Sequence, residues 1–391
     1  MKILVLNAGS SSQKSCFYEL NDTLPDRPPE PLWEAKIDWT HREGAGELQV
    51  TTARAGAIAR MLETLWQGET QVINSLNEID IVGHRVVHGG ENYQQSTLIS
   101  PEVKQEIARL SEFAPVHNPV NLEGIEAIEK ILGNVPQVAV FDTAFHSNLP
   151  PAAFVYPGPY EWVQEGIRRY GFHGISHQYC ARRAAQILNR DLADLRLISC
   201  HLGNGCSLAA VRGGRSVDTT MGFTPLDGLM MGSRSGAIDP GIIIHLLRRA
   251  HFTAEELDNI LNRNSGLKGI SGVSSDMRLV AEAIVNGNSR AQLAFDIYVH
   301  RLRAGIGAML ASLGGLDALI FTAGVGENSA VVRAAACEAF GFIGLRLDGE
   351  KNLNWPVDAD IAAVDSTVRV LVIHTQEDWE IARECWDVSH R

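Results

Sequence analysis

The sequence predicts an α/β protein made of two similar halves, and three observations carry that expectation. Residues 197–211 (LISCHLGNGCSLAAV) read as two apolar strands joined by a glycine turn, and residues 3–20 repeat the pattern around a small polar turn at 7–12. Strand-then-helix order recurs through each half, which makes a sheet covered by helices. Asn7, Asp142, His201, Ala323 and Thr375 all fall at strand ends, and open α/β sheets place their sites outside the carboxyl ends of strands.

Taken in order, the first strand is 3–6, and the returning strand 14–20 opens on a cation, Lys14. Residues 21–32 hold Pro25, Pro28, Pro29 and Pro31, so they form a surface connection. Residues 32–38 and 47–51 read as strands, and 54–66 carries apolar residues at helical spacing. The strand 79–87 delivers His84 and Arg85 toward Gly89-Gly90. Helices follow at 101–113 and at 119–132, the latter with Asn118 as its cap and Pro119 in its first position. The strand 138–141 ends at Asp142.

After Pro150-Pro151 the second series begins, with a helix at 176–188, the hairpin 195–211 and a strand at 216–219. Residues 221–241 are rich in glycine without sustained periodicity, and their methionines and leucines point to a loop shaped for a ligand. Helices are expected at 240–250, 254–261, 277–285 and 290–313. The strand 319–322 feeds a glycine turn at 324–328 ahead of a helix at 329–340, and a strand at 368–373 and a helix at 379–386 close the chain. The glycines of 203–205 are expected at positive φ, turning backbone N–H groups into a cradle for an anion.

At 391 residues, 45% hydrophobic and 20% charged, the chain has the composition of a globular protein of two domains. Its 46 acidic and 34 basic residues give a net charge of −12, and no basic run tracks a nucleic acid backbone, so no nucleic acid partner is expected. The six cysteines are scattered without CxxC spacing and read as reduced. Alternation sends Cys200 and His201 to opposite faces, which argues against a metal site there. The apolar run 3–6 is too short for a signal peptide, and 304–316 is short of a bilayer span, so no membrane partner and a cytoplasmic location are expected. No Walker motif, GxGxxG after a strand, protein-kinase signature or HExxH is present.

The blocks LVLNAGSSSQK, GHRVVHGGE, APVHNP, FDTAFH, YGFHGISH, HLGNGCS, DTTMGFTPLDGLMMGSRSG, SSDMR and FTAGVGEN stand in order across nearly the whole length. With these blocks the chain resembles the acetokinase family, within the acetate and sugar kinase, Hsp70 and actin superfamily. The resemblance implies a duplicated actin-like (ribonuclease H-like) ATPase fold with two domains around a nucleotide cleft. It also implies reversible transfer of phosphate between ATP and acetate in line, with Mg²⁺ or Mn²⁺, by a homodimer. The expected division is 1–144 with 379–391 for the acyl substrate and phosphate, and 145–378 for nucleotide binding and dimerisation.

Acetate is already ionised at neutral pH, so the reaction needs positioning and charge neutralisation rather than a strong base. The resemblance implies Asp142, Arg85, Arg234, His173 and Asn204 as catalytic residues. The arginine forks match carboxylate and phosphate oxygens. It places a methyl-sized pocket at Val87, Val116, Phe172 and Pro225, with Arg85 also on the substrate, and the metal at Asn7 and Glu377. Nucleotide contacts are implied for Ser12, Lys14, His201, Leu202, Gly203, Asn204 and Gly205. They are implied as well for Asp276, Met277 and Arg278, and for Gly324, Val325, Gly326, Glu327 and Asn328.

Three positions depart from the family pattern: Val116 where leucine is common, Ala237 where Asp is common, and Gln376-Glu377-Asp378 in place of Asn-Glu-Glu. Val116 leaves room for one more methylene, so propionate is expected to react with acetate preferred. The alternatives are a propionate-directed member of the family and, from another class, a non-catalytic actin-like nucleotide-binding protein. The last gives no reason for two arginines beside a methyl-sized pocket.

Overall fold

A computed structural model of the chain describes residues 1–9, 12–38, 47–249, 252–354 and 358–391. Ser10 and Ser11 of the expected first turn, and Ala250 at the end of an expected helix, lie outside them. The chain divides into two compact units. Unit 1 holds Met1–Ser147, Gly174–Ser176 and Gln376–Arg391, and unit 2 holds Asn148–His173 and His177–Thr375.

In unit 1, strands β1 (Lys2–Ala8), β2 (Ser12–Glu19) and β3 (Trp33–Asp38) run antiparallel in sequence. Strand β4 (Ile81–Val86) lies parallel to β1, and β6 (Gln137–Phe141) lies parallel to β4. The short β5 (Thr97–Leu98) closes the edge, giving the order β3-β2-β1-β4-β6-β5. Leu4, Leu6 and Phe17 of the sheet pack with Ile58, Leu62 and Ile128 of the helices Glu47–Glu63 and Asn118–Leu132. Each such fully buried side chain stabilises the fold by about 1.5–3 kcal/mol.

Unit 2 repeats the plan. Strands β7 (Arg196–Leu202), β8 (Cys206–Arg212) and β9 (Arg215–Thr219) are antiparallel. Strand β10 (Ala318–Thr322) lies parallel to β7, and β12 (Arg369–Val372) lies parallel to β10. With β11 (Ala359–Asp360) at the edge, the order is β9-β8-β7-β10-β12-β11, the same topology as unit 1. The expected duplicated α/β architecture is therefore present in each unit's own sheet. The long helix Ser289–Leu313 buries Tyr298, Leu302, Ile306 and Met309. Among the described residues no helix is long and apolar enough to cross a membrane, and all six cysteines are free and buried.

Four local expectations are corrected. Residues 47–51 are not a strand but the opening of the helix Glu47–Glu63. The β-branched residues there favour a strand only weakly, and the core contacts of Ile58, Met61 and Leu62 outweigh them. Asn118 is not a cap, because the helix Asn118–Leu132 is preceded by His117 and the Asn118 side chain is buried elsewhere. Residues 324–328 form a short helix, Ala323–Asn328, rather than an open turn. It starts at Ala323, in the left-handed region at φ 62°. Gly203 and Gly205 are not at positive φ; a Cβ would press on the Gly205 carbonyl oxygen at 203 and would stand at ordinary contact distance from its neighbours at 205.

Candidate active site

Unit 1 gathers charged and amide side chains where β1, β4 and β6 end. Arg85 donates from Nε and Nη2 to Asp142 Oδ2 at 3.1 and 2.6 Å, and from Nη1 to Asn7 Oδ1 at 3.5 Å. Asn7 Nδ2 in turn donates to Glu377 Oε2 at 3.3 Å and to Asp378 Oδ1 at 3.0 Å, both in the first turn of the helix Glu377–Ser389. Lys14 pairs with the other Asp378 oxygen at 2.9 Å. Burial opposes the charge on both members of the central pair. It raises the Asp142 carboxyl above its ordinary range, with Arg85 pulling it back. On Arg85 burial is outweighed by Asp142, Glu377 and Asp378, which hold the guanidinium above its ordinary value.

The chain leaving β4 is fixed by Asn121 and Thr143, to which the sequence assigned no role, and by Asn118, which it placed at a helix cap. Asn121 Oδ1 accepts from the Val87 N–H at 3.1 Å, Asn118 Oδ1 from His88 N–H at 3.1 Å, and Thr143 Oγ1 from Gly89 N–H at 3.1 Å. Asn118 Nδ2 also donates to the His88 and Ile107 carbonyls. These buried amides satisfy backbone that follows the strand, which is why Asn118 is drawn inward from the cap position. Val87 is buried, whereas Val116 is 47% exposed.

In unit 2, His173 sits in the left-handed region at φ 57°, immediately before the helix Gly174–Leu188. Its ring stacks on His201 at 4.2 Å between centroids, and its Nδ1 is 2.8 Å from Ser207 Oγ. A Cβ on Gly205 would lie 3.4 Å from Arg234 Nη1 and 3.4 Å from His173 Nε2, so both groups face the turn at one point. That shared face is what glycine at 205 keeps open. A Cβ on Gly203 would stand 3.2 Å from the Gly205 carbonyl oxygen.

Arg234 differs from Arg85 in having no carboxylate partner among the described residues. It donates from Nη1 to the Pro225 carbonyl at 3.3 Å and to Met231 Sδ at 4.0 Å. Burial lowers its pKa, with only the Cys206 thiol pulling the other way. The loop that carries Pro225 is held by Arg169, which donates to the carbonyls of Thr220 and Met221 at 2.9 Å, and by Tyr156, whose hydroxyl accepts from Phe223 N–H. Phe172 is buried.

A cavity of about 770 Å³ in unit 2 is lined by Gly203, Asn204, Asp276, Met277, Arg278, Gly324, Val325 and Asn328, among others. Eight residues inferred as nucleotide contacts thus share one concavity, of the size small ligands occupy. Asp276 caps the helix Met277–Val285 through Arg278 N–H and pairs with the Arg278 side chain at 2.6 Å. Other inferred contacts lie elsewhere. Leu202 is wholly buried, Gly326 packs against Phe321, and Glu327 accepts from the Ala323 and Thr375 backbone and meets His374 at 2.6 Å. Lys14 and Ser12 belong to unit 1, in β2.

Asn7, Glu377 and Asp378 present only oxygen acceptors beside an amide, a donor set that suits a hard divalent cation keeping several waters. No cluster of three or more His, Cys, Asp or Glu able to hold a metal occurs among the described residues. Ala237 is exposed, and nothing in the structure explains its departure.

The chain is similar to known proteins along nearly its whole length. The family model for the acetokinase family matches residues 2–383. An acetate kinase of Nostoc sp. is 67% identical, with 100% of each chain covered. The crystal structure of Porphyromonas gingivalis acetate kinase superposes with a TM-score of 0.89 at 38% identity, covering 99% of each chain. That of a propionate kinase from Francisella tularensis gives 0.86 at 35% identity, again over 99% of each chain.

Proposed function

The chain belongs to the acetokinase family, and on that premise we propose that it transfers the terminal phosphoryl group of ATP to acetate, reversibly, giving acetyl phosphate and ADP. The observation that carries the reading is Arg234, a guanidinium weakened by burial with no carboxylate partner among the described residues, set beside His173 at the glycine turn. Such a cation is stabilised by an anion that arrives as substrate. The 770 Å³ cavity, sharing Gly203 and Asn204 with that turn, is the place for ADP or ATP.

The acetate carboxylate attacks phosphorus in line, and no proton need be removed. Arg85, anchored by Asp142 and Asn7, offers a fork to the incoming carboxylate. Arg234 and His173 Nε2 meet the equatorial oxygens, where negative charge spreads in the transition state. Asn204 meets the transferred group from the turn. Asn7 and Glu377 would hold magnesium, with Asp378 close by, and the ion would supply shielding of the phosphate oxygens.

The smaller side chain of valine at 116 favours a second, broader reading, in which propionate is also accepted. Ile244 and Leu247, three residues apart on the helix Pro240–Arg249, and Ile242 are exposed apolar side chains, which supports a homodimer. Six buried free cysteines support a reducing, cytoplasmic setting. The test is an acyl hydroxamate trap with ATP and straight-chain acids from C1 to C4. Nucleotide binding without any hydroxamate would sink the assignment.

A further inference from the structure

His177 is wholly buried and has no part in the chemistry above. Both of its ring nitrogens are hydrogen-bonded, Nδ1 with Ser199 Oγ at 3.0 Å and Nε2 with Ser207 Oγ at 2.8 Å. Ser207 Oγ has a second partner, His173 Nδ1, at 2.8 Å. Register explains the grouping: His201 pairs with Ser207 across β7 and β8, and Ser199, two residues before His201, faces the same way. Four groups thus stand in line, Ser199, His177, Ser207 and His173, all in unit 2.

Counting protons gives the line a direction. Ser199 is completely buried, and His177 Nδ1 is its one side-chain partner among the described residues. A buried hydroxyl proton without an acceptor is costly, whereas an unused lone pair is cheap, so Ser199 donates and Nδ1 accepts. The ring proton of His177 then lies on Nε2 and is donated to Ser207 Oγ. Ser207, also completely buried, has its own proton left for its remaining partner, His173 Nδ1. His173 is thereby held as the Nε2–H tautomer. Nε2 is the atom that faces the Gly205 turn together with Arg234.

We infer that Ser199, His177 and Ser207 are positioning residues that fix the tautomer of His173, so that it presents an N–H rather than a lone pair to the transferred phosphoryl group. The inference rests on the reading of His173 as a donor to that group. The opposite tautomer would aim a lone pair at an anion, and the stabilisation would become repulsion.

Two-bond ¹H–¹⁵N correlation spectra of the full chain, labelled at the histidine rings, report each tautomer directly. Loss of a signal in His173→Gln or His177→Gln assigns it. The expected result is Nε2–H for both residues. Ser199→Ala should convert His173 at least partly to Nδ1–H and lower kcat about tenfold, with KM for acetate and ATP within about twofold. Ser199→Thr should restore both readouts, and in a His173→Gln background Ser199→Ala should have no further effect on kcat. An Nδ1–H His173 in the unaltered protein, or an unchanged His173 tautomer in Ser199→Ala, overturns the inference. A native kcat in His173→Ala with the expected tautomers would instead overturn the donor reading while leaving the proton order intact.

Discussion

Arg85 and Arg234 carry the same charge, yet their surroundings predict opposite effects on stability when each is replaced by methionine. Asp142 is 2% exposed at its side chain and bonded twice by Arg85. Arg85→Met leaves that carboxylate buried and alone, at a cost of about 3–5 kcal/mol. For a unit of this size each kcal/mol moves the midpoint by about 2–4 °C, so the transition of unit 1 should fall by roughly 10 °C. Arg234 has no carboxylate partner among the described residues to strand. Removing it relieves a desolvated cation, and after allowing for its partial exposure the ligand-free protein should keep or gain about 1 kcal/mol. Both variants should nevertheless lose about 10²-fold or more in kcat, the usual cost of deleting a charged donor to a developing anion. Differential scanning calorimetry without ligand, alongside hydroxamate assays, reads both quantities. If Arg234→Met melts as far below the native protein as Arg85→Met, then Arg234 is a structural cation and the case for an incoming anion collapses.

Other outcomes follow from single contacts. Gly205→Ala needs no forbidden φ and meets its neighbours at ordinary contact distance, so its midpoint should stay within about 2 °C. Its methyl would stand 3.4 Å from both Arg234 Nη1 and His173 Nε2, and kcat should fall at least tenfold. His84 and His88 are buried, and desolvation lowers each pKa to about 4, a shift the Gln137 hydrogen bond opposes at His84. Below the unfolded value of about 6.5 the unfolded chain takes up protons that the folded chain refuses. Stability should therefore decline from pH 6.5 toward pH 4, by about 2 kcal/mol for each histidine at pH 5, and urea midpoints across that range measure it. With Val116 in place of a larger residue, propionate should react with a kcat/KM below that of acetate by at most about 1–3 kcal/mol; equal or higher values would overturn the preference.

Much of the plan was legible because it rests on period and on end effects. The two hairpins, the positions of the later strands and the strand-end positions of Asn7, Asp142 and His201 all follow from apolar runs broken by polar turns, whereas the parallel pairing of those later strands appears only in the structure. Residues 47–51 misled because short β-branched runs look alike in strands and helices, and the decision belongs to Ile58, Met61 and Leu62 farther along. Neither Gly203 nor Gly205 takes the expected positive φ; glycine at 205 keeps open a face shared by Arg234 and His173, far away in sequence, whereas a Cβ at 203 would press on the nearby Gly205 carbonyl. Asn121, Tyr156 and Arg169 lie in none of the quoted blocks, and Asn118 and Thr143 lie in two of them without a site role. They act by satisfying backbone groups whose need appears only after folding. The Ser199-His177-Ser207 line had one visible trace, the alternation of Ser199 with His201 on one strand.

The matching registers of the two sheets permit a residue-by-residue correspondence. Asn7 lies one place before the end of the β1 pairing with β2, as His201 does in β7 with β8. Arg85 and Thr322 each follow the residues, His84 and Phe321, that pair into the next parallel strand at Ala139 and Val372. Asp142 and Thr375 each come three positions after those partners. One trio of strand-tip positions thus appears twice, with Arg85 and Asp142 beside the neutral Asn7 in the first copy and neither carboxylate nor guanidinium in the second. Exchanging side chains at those six tips is a route to new acceptors or new nucleotides that leaves every ladder hydrogen bond of the scaffold untouched.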